Sequence, residues 1–280
     1  MSGAIASDFS ENRSFVPLCT SILYFTNRVN LLSKAKISYL QSLSRKKFRR
    51  KYNNFIVEGD KSVRELLTLP QARIEMICNT EKWANDHADL LRPHKDKMLI
   101  INESELKKIS QLTTPNQVLA VAAQFNPEPS DREIKTGISL YLDGIRDPGN
   151  LGTIIRTADW FGVRHVFCSP DCADVYNAKV LQATMGAFLR VKVLPAELSQ
   201  LQEKFATLPI FGALMQGEDV FSLSPPTAGI LVIGNEGKGI SEENIALLTH
   251  QITIPAATGS GAESLNAGIA TGIILSHLTR

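Results

Sequence analysis

The apolar positions change rhythm along the chain, and the change divides it in two. From Leu32 onward, short apolar runs alternate with helical spacing. Ser33 is placed to cap a helix through Leu43. Residues 54–57 read as a strand, and Glu58-Gly59-Asp60 opens a helix carrying Val63, Leu66 and Leu67. Residues 74–78, 98–101 and 118–123 read as further strands, with a helix over 104–112. The pattern predicts a small α/β unit over residues 32–124. Residues 1–31 have no clear period and read as an extension, either disordered or preceding a true start near Leu31/Leu32.

The stretch Asn126-Pro127-Glu128-Pro129-Ser130-Asp131 is polar, proline-rich and aperiodic, so residues 125–137 read as a linker. Residues 138–280 then alternate strand and helix. Strands are expected at 139–142, 165–168, 191–194, 209–213, 230–233 and 252–254, with helices between most of them. This predicts an α/β domain with a mostly parallel sheet and helices on both faces. Ligands of such sheets bind at the carboxyl ends of the strands. The loops after Asp143, Ile233 and Ile254 therefore come first for function.

Composition narrows the choice. Of 280 residues, 44% are hydrophobic and 21% charged, enough for real cores. The net charge is only +2. Yet Lys34 to Arg64 holds ten Lys/Arg against Glu58 and Asp60, a local +8 that leaves −6 elsewhere. The distribution, unlike the net charge, points to a polyanion partner, with a solvated face as the alternative reading of the run. Four cysteines, Cys19, Cys78, Cys168 and Cys172, lack metal spacing and read as reduced thiols of a cytoplasmic protein. No apolar run reaches the ~20 residues of a membrane helix. Asp8 and Glu11 precede the weakly apolar 15–25, where a signal peptide carries positive charge.

The first loop runs from Asp143 into a helix after a Pro-Gly turn, with Asn150 as the expected N-cap and Gly162 as the stop. Leu151, Ile154, Ile155, Ala158 and Phe161 form one stripe, and Arg156 lies opposite. Gly152, four positions earlier, would leave room beside its guanidinium. The second loop, Gly234-Asn235-Glu236-Gly237-Lys238-Gly239, follows a buried strand. It matches neither the dinucleotide G-x-G-x-x-G nor a phosphate loop ending in G-K-[ST], which disfavours phosphate binding and leaves a neutral adenosine-like group open. The third, 254–266, carries Ser264-Leu265-Asn266 into a helix over 268–278 with no polar face, suited to burial or a subunit interface.

The ordered set N-x-G-x-x-x-R-T-A, then I-G-N-E-G-x-G-I-S, then I-P followed by S-L-N resembles the SpoU-type (TrmH family) RNA 2′-O-ribose methyltransferases of the SPOUT superfamily. The resemblance covers about 138–280. The run from Lys36 to Gly59 is similar to the ribosomal-protein-like RNA-binding domain that many members carry. It implies a trefoil-knotted domain that binds S-adenosyl-L-methionine and works as a homodimer through its C-terminal domain; no metal is expected, from the cysteine spacing. It implies catalytic-centre roles for Asn150, Arg156, Glu236, Ser264 and Asn266. Cofactor contacts are implied for Leu214 (expected just after a strand), Gly234, Asn235, Gly237, Gly239, Ile254, Ser264 and Leu265. Arg45, Lys46, Lys47, Arg49, Arg50 and Lys51 are expected to bind RNA phosphates, with Phe48 and Tyr52 stacking on bases.

The motifs contain no histidine to act as base. A guanidinium stays protonated, so Arg156 reads as a clamp on phosphate and developing alkoxide. Asn150 and Ser264 would orient the hydroxyl, and Glu236 would bind that hydroxyl or hold Arg156. Ribosomal RNA is the first expected substrate and transfer RNA the second. A Rossmann-type nucleotide enzyme and a catalytically silent RNA-binding paralogue are the competing readings.

Overall fold

A computed structural model describes residues 32–280. Cys19 and the readings made on residues 1–31 lie outside the described residues. The first unit contains α1 (Lys34–Ser42), α2 (Lys46–Tyr52), β1 (Asn54–Glu58), α3 (Asp60–Thr68), β2 (Ile74–Asn79), α4 (Glu81–Asp86), α5 (Ala88–Leu91), β3 (Met98–Ile100), α6 (Glu103–Ile109) and β4 (Val118–Ala123). Local sequence explains the boundaries. Ser33 caps α1 by accepting the Lys36 amide, and Asn102 and Glu105 form a reciprocal capping box on α6. Asn53 stops α2 in the left-handed conformation.

The four strands order as β1-β4-β2-β3, antiparallel except for β2 and β3. Apolar side chains cover both faces. Leu40, Leu43, Ile56 and Leu119 pack on one. Phe55, Val63, Leu66 and Trp83 pack on the other, and there Leu181, Phe188 and Leu189 of the second unit join the same core. The two units therefore meet through shared apolar packing.

Between them, α7 (Asp131–Lys135) is a helical turn capped by Ser130, so part of the expected linker is ordered secondary structure. The second unit follows with β5 (Ile138–Asp143), α8 (Pro148–Trp160), β6 (His165–Cys168), α9 (Ala178–Thr184), β7 (Lys192–Pro195), α10 (Leu198–Lys204), β8 (Ile210–Asp219), β9 (Gly229–Gly234), α11 (Glu242–Ile245), β10 (His250–Thr253) and α12 (Ala267–Leu278). Its six strands are all parallel, in the order β10-β8-β9-β5-β6-β7. β5 and β9 are buried along most of their length, as central strands covered on both faces must be.

This order positions the site. From β5 the chain moves outward through β6 and β7, then returns to build β8, β9 and β10 on the other side. The crevice at such a reversal lies at the carboxyl ends of the strands. The loops leaving β5, β9 and β10 share that end of the sheet.

Three expectations change. Asn150 is not the cap of α8: Asp147 is, its side chain accepting the Asn150 amide, with Pro148 in the first turn. Gly152 does not make room for Arg156. A Cβ there would lie 2.5 Å from Ala183 Cβ, so this glycine lets α8 and α9 pack closely. Leu214 lies inside β8 rather than after it. Of the two alternatives for α12, burial accounts for one side only: Leu275 is buried, while Ile269 is 56% exposed.

Candidate active site

The first loop is anchored at its base. Asp143 Oδ2 accepts from the backbone amide and hydroxyl of Ser241, at 2.8 and 2.9 Å, tying the end of β5 to the far end of the second loop. Asn235 Nδ2 donates to the Gly144 carbonyl at 2.7 Å. Its Oδ1 accepts the amides of Gly237 and Lys238, at 3.0 and 3.1 Å, which folds the second loop back on itself. Asn235 and Gly239 exchange backbone hydrogen bonds of 2.9 and 2.8 Å. Gly234 sits under this bridge, and a Cβ there would meet Gly239 C at 2.3 Å. Only glycine leaves the turn this tight.

Asn150 then links all three loops. Its Nδ2 donates to Glu236 Oε1 at 2.5 Å, and its Oδ1 accepts from Asn266 Nδ2 at 2.8 Å. Asn266 is fixed in turn, because its own Oδ1 caps α12 by accepting the amides of Gly268 and Ile269. Three residues far apart in sequence are thus held in a hydrogen-bonded row that stays open to solvent.

Beside this row is a cavity of about 610 Å³. Its apolar wall includes Leu214, Ile233, Ile254, Leu265 and Ile274. Its polar wall comes from Gly234, Asn235, Glu236, Gly237, Lys238, Gly239 and Ser264. Backbone groups and one carboxylate face a largely apolar slot, with one lysine as the only cation among the described lining residues. Such a lining suits an uncharged ring system joined to a compact cation better than a polyphosphate. All eight residues expected to contact cofactor lie on this wall.

The sequence profile of the SpoU rRNA Methylase family matches residues 137–276, the unit that carries this cavity. The chain belongs to that family. Residues 34–120 match the MRM3-like substrate binding domain. Bacillus subtilis RlmP, named as a 23S rRNA (guanosine(2553)-2′-O)-methyltransferase, is 29% identical, over 87% of this chain and 95% of its own length. A solved TrmH-family structure from Porphyromonas gingivalis is 41% identical with a TM-score of 0.77, covering 89% of this chain and 98% of that one. The AdoMet-bound rRNA methyltransferase from Sinorhizobium meliloti is 25% identical with a TM-score of 0.77, covering 90% and 96%.

Of the five polar residues expected at the centre of this SpoU-family site, Asn150, Glu236 and Asn266 are joined directly, and Ser264 lines the adjoining cavity. Arg156, like Asn150 and Asn266, is not among the lining residues, and it has no bond to the row. It is exposed on α8, two helical turns from Asn150, on the side that also carries Trp160, 84% exposed. Glu236 is bonded to Asn150 and not to Arg156, the partner expected for it within the chain.

The basic segment needs one correction. It folds as α2, and Lys46, Lys47, Arg50 and Lys51 point to solvent, with Arg45 exposed just before it. Arg49 points inward and is 2% exposed. It donates to the carbonyls of Leu43 and Ser44 and pairs with Asp174, so it is not available to RNA. Phe48 and Tyr52 stack on each other at 6.3 Å, and Tyr39 meets Tyr52 edge-on at 5.1 Å.

Sequence reasoning missed Asp143, Asp147 and Ser241, which support the loops rather than line the cavity. Asp147 had a signal: an Asp directly before Pro at a helix start is a strong cap pattern.

Proposed function

We propose that this protein transfers a methyl group from S-adenosylmethionine to the 2′-hydroxyl of a ribose in ribosomal RNA. The observation that carries the reading is the Asn150–Glu236–Asn266 row at the rim of the cavity. Gly234 lets the second loop close back onto the end of its strand at the cavity wall, and the mixed apolar and backbone-polar lining fits the cofactor. When bound, S-adenosylmethionine supplies an electrophilic methyl group on a sulfonium. The chain's own residues do the rest. Gly234, Ile254 and Leu265 hold the donor, joined by Leu214, Asn235, Gly237 and Gly239. Asn150 and Ser264 orient the ribose oxygen, and alignment of this kind supplies several kcal/mol of the barrier lowering. Glu236 fixes Asn150 and adds negative charge beside the hydroxyl proton. Arg156, permanently protonated, clamps the neighbouring phosphate and the developing alkoxide.

That last role fits a second copy of the chain, because Arg156 is exposed on α8 and has no bond to the Asn150–Glu236–Asn266 row. Trp160 on α8 and Ile269 on α12 are exposed. They lie on two helices that pack where Gly268 meets Thr153 and Gly272 meets Thr157. This outward apolar face supports a homodimer through the C-terminal domain, in which Arg156 of one copy serves the cavity of the other. The family resemblance further supports a trefoil knot in residues 138–280, with 32–124 as the RNA-binding unit and 125–137 between them. Lys46, Lys47, Arg50 and Lys51 would track phosphates there. Among the described residues no helix is long and apolar enough to cross a membrane, and the bacterial relatives support a cytoplasmic location.

Ribose-methylation mapping of total RNA, with and without this protein, tests the reading. One ribose methyl should vanish from ribosomal RNA. Loss from transfer RNA alone would move the substrate to that class, and an unchanged map would make the protein a silent paralogue.

A further inference from the structure

Arg49 interrupts a run of surface cations, yet it is buried. Its Nη1 donates to the Leu43 and Ser44 carbonyls at 2.9 and 2.8 Å, and its Nη2 donates to Asp174 Oδ2 at 2.6 Å. The first two bonds fix the guanidinium to the turn that opens α2. The third crosses 125 positions of sequence into the second unit. Burying an arginine is costly unless its charge and donors find partners; here both Nη atoms and the charge are paired, while the buried Nε–H has no partner among the described residues.

What Asp174 is attached to gives the pair its meaning. The segment that carries it, 169–174, is stitched to the first loop of the candidate active site. Ser169 N donates to the Leu142 carbonyl at 3.0 Å, and Ala173 N donates to the Ile145 carbonyl at 2.9 Å. Gly144 N donates to Ser169 Oγ at 2.9 Å. The Gly144 carbonyl accepts from Asn235, next to Glu236. Every joint from α2 to the hydrogen-bonded row is therefore a short, directional bond.

We propose that the Arg49–Asp174 pair is a positioning brace that sets the RNA-gripping face of α2 at a fixed place relative to the methyl-transfer site. The inference rests on the function proposed above. RNA phosphates held by α2 place the target ribose only if α2 cannot move against the loops at 144–150. Binding energy gathered far from the reacting atoms then appears as turnover rather than affinity.

Asp174→Asn removes the charge and keeps an oxygen for the Tyr176 amide, which Asp174 Oδ1 now accepts at 3.1 Å. Asp174→Glu restores the charge on a longer arm. The assay is single-turnover and steady-state methylation of 23S ribosomal RNA transcribed in vitro, with S-adenosylhomocysteine titration as the control. For Asp174→Asn, kcat should fall about tenfold to a hundredfold, while KM for RNA and S-adenosylhomocysteine affinity stay within about twofold. Asp174→Glu should recover most of the loss. Should Asp174→Asn not fold, Arg49→Lys keeps the charge without the planar fork and should show the same kcat-selective loss. Unchanged kcat, a loss carried by KM for RNA alone, or a parallel loss of S-adenosylhomocysteine affinity would each overturn the brace. A wild-type enzyme inactive on this RNA would instead count against the ribosomal substrate reading.

Discussion

Replacing Gly234 by alanine tests whether the second loop is the cofactor cradle. The new Cβ would lie 2.3 Å from Gly239 C and 2.4 Å from Ile240 N. Both are backbone atoms, an ångström or more inside the 3.4 Å of ordinary contact, so the strand end and the returning loop must separate. Separation breaks the two Asn235–Gly239 backbone bonds of 2.9 and 2.8 Å. Each such bond contributes about 1 kcal/mol net. Overpacking adds about 1–3 kcal/mol. If about 2 kcal/mol of this total falls on the bound state, affinity drops about thirtyfold. Two companions calibrate the result. Gly239→Ala meets no atom within 4 Å but holds φ at +70°, so it carries only backbone strain of about 1 kcal/mol. Gly261→Ala enters open space and should shift nothing by more than about 0.5 kcal/mol. Calorimetric titration with S-adenosylhomocysteine, beside thermal unfolding, reads all three. Wild-type affinity in Gly234→Ala would refute the cradle.

Asn150→Ala removes the centre of the hydrogen-bonded row, and kcat should fall about a hundredfold while S-adenosylhomocysteine affinity changes less than about twofold; steady-state kinetics with labelled cofactor measures it, and normal kcat would remove Asn150 from the mechanism. Replacing Lys46, Lys47, Arg50 and Lys51 together by alanine should lower the slope of log affinity against log salt by about 3 in RNA-binding titrations, whereas an unchanged slope would place the phosphate contacts elsewhere. Burial holds the His165 imidazole below its ordinary value, with Lys192 pushing the same way and Glu133 opposing, and its Nε2 accepts the Ser130 amide at 3.1 Å. A folded value below the unfolded 6.5 means its contribution is intact above that pH and is lost as pH falls through the lowered value. The melting temperature of wild type should therefore fall more between about pH 7.5 and 5 than that of His165→Gln; parallel curves would contradict the assignment.

What was legible in the sequence is what local chemistry writes. Asp143-Gly144 after β5, Gly234-Asn235 after β9 and Ile254-Pro255 after β10 marked the three loops, and the Ser33 cap and the β6 strand stand where spacing put them. What was not legible depends on partners distant in sequence. The outer half of β8, residues 215–219, is polar and has no alternation. It is a strand because Glu218 and Asp219 pair with Ile252 and Thr253 of β10. Arg49 is indistinguishable from its neighbours in a basic run. Its inward direction is set by Asp174, in another unit of the fold. Gly152 looked like space for a ligand because α9, which fills that space, lies thirty residues downstream. Asp147 competed with Asn150 for the same cap, and proline chemistry at 148 decided between them.

The central claim, that this site delivers a methyl group to a ribose oxygen, is read most directly from the chemistry of its product. Ribosomal RNA methylated by the purified enzyme with methyl-labelled S-adenosylmethionine is hydrolysed in alkali, which cannot cut beside a blocked 2′-oxygen. Label is expected in alkali-resistant dinucleotides, formed about a hundredfold more slowly when Asn150→Ala replaces the wild type. Label released in mononucleotides would mean that the methyl group sits on a base, and would contradict it.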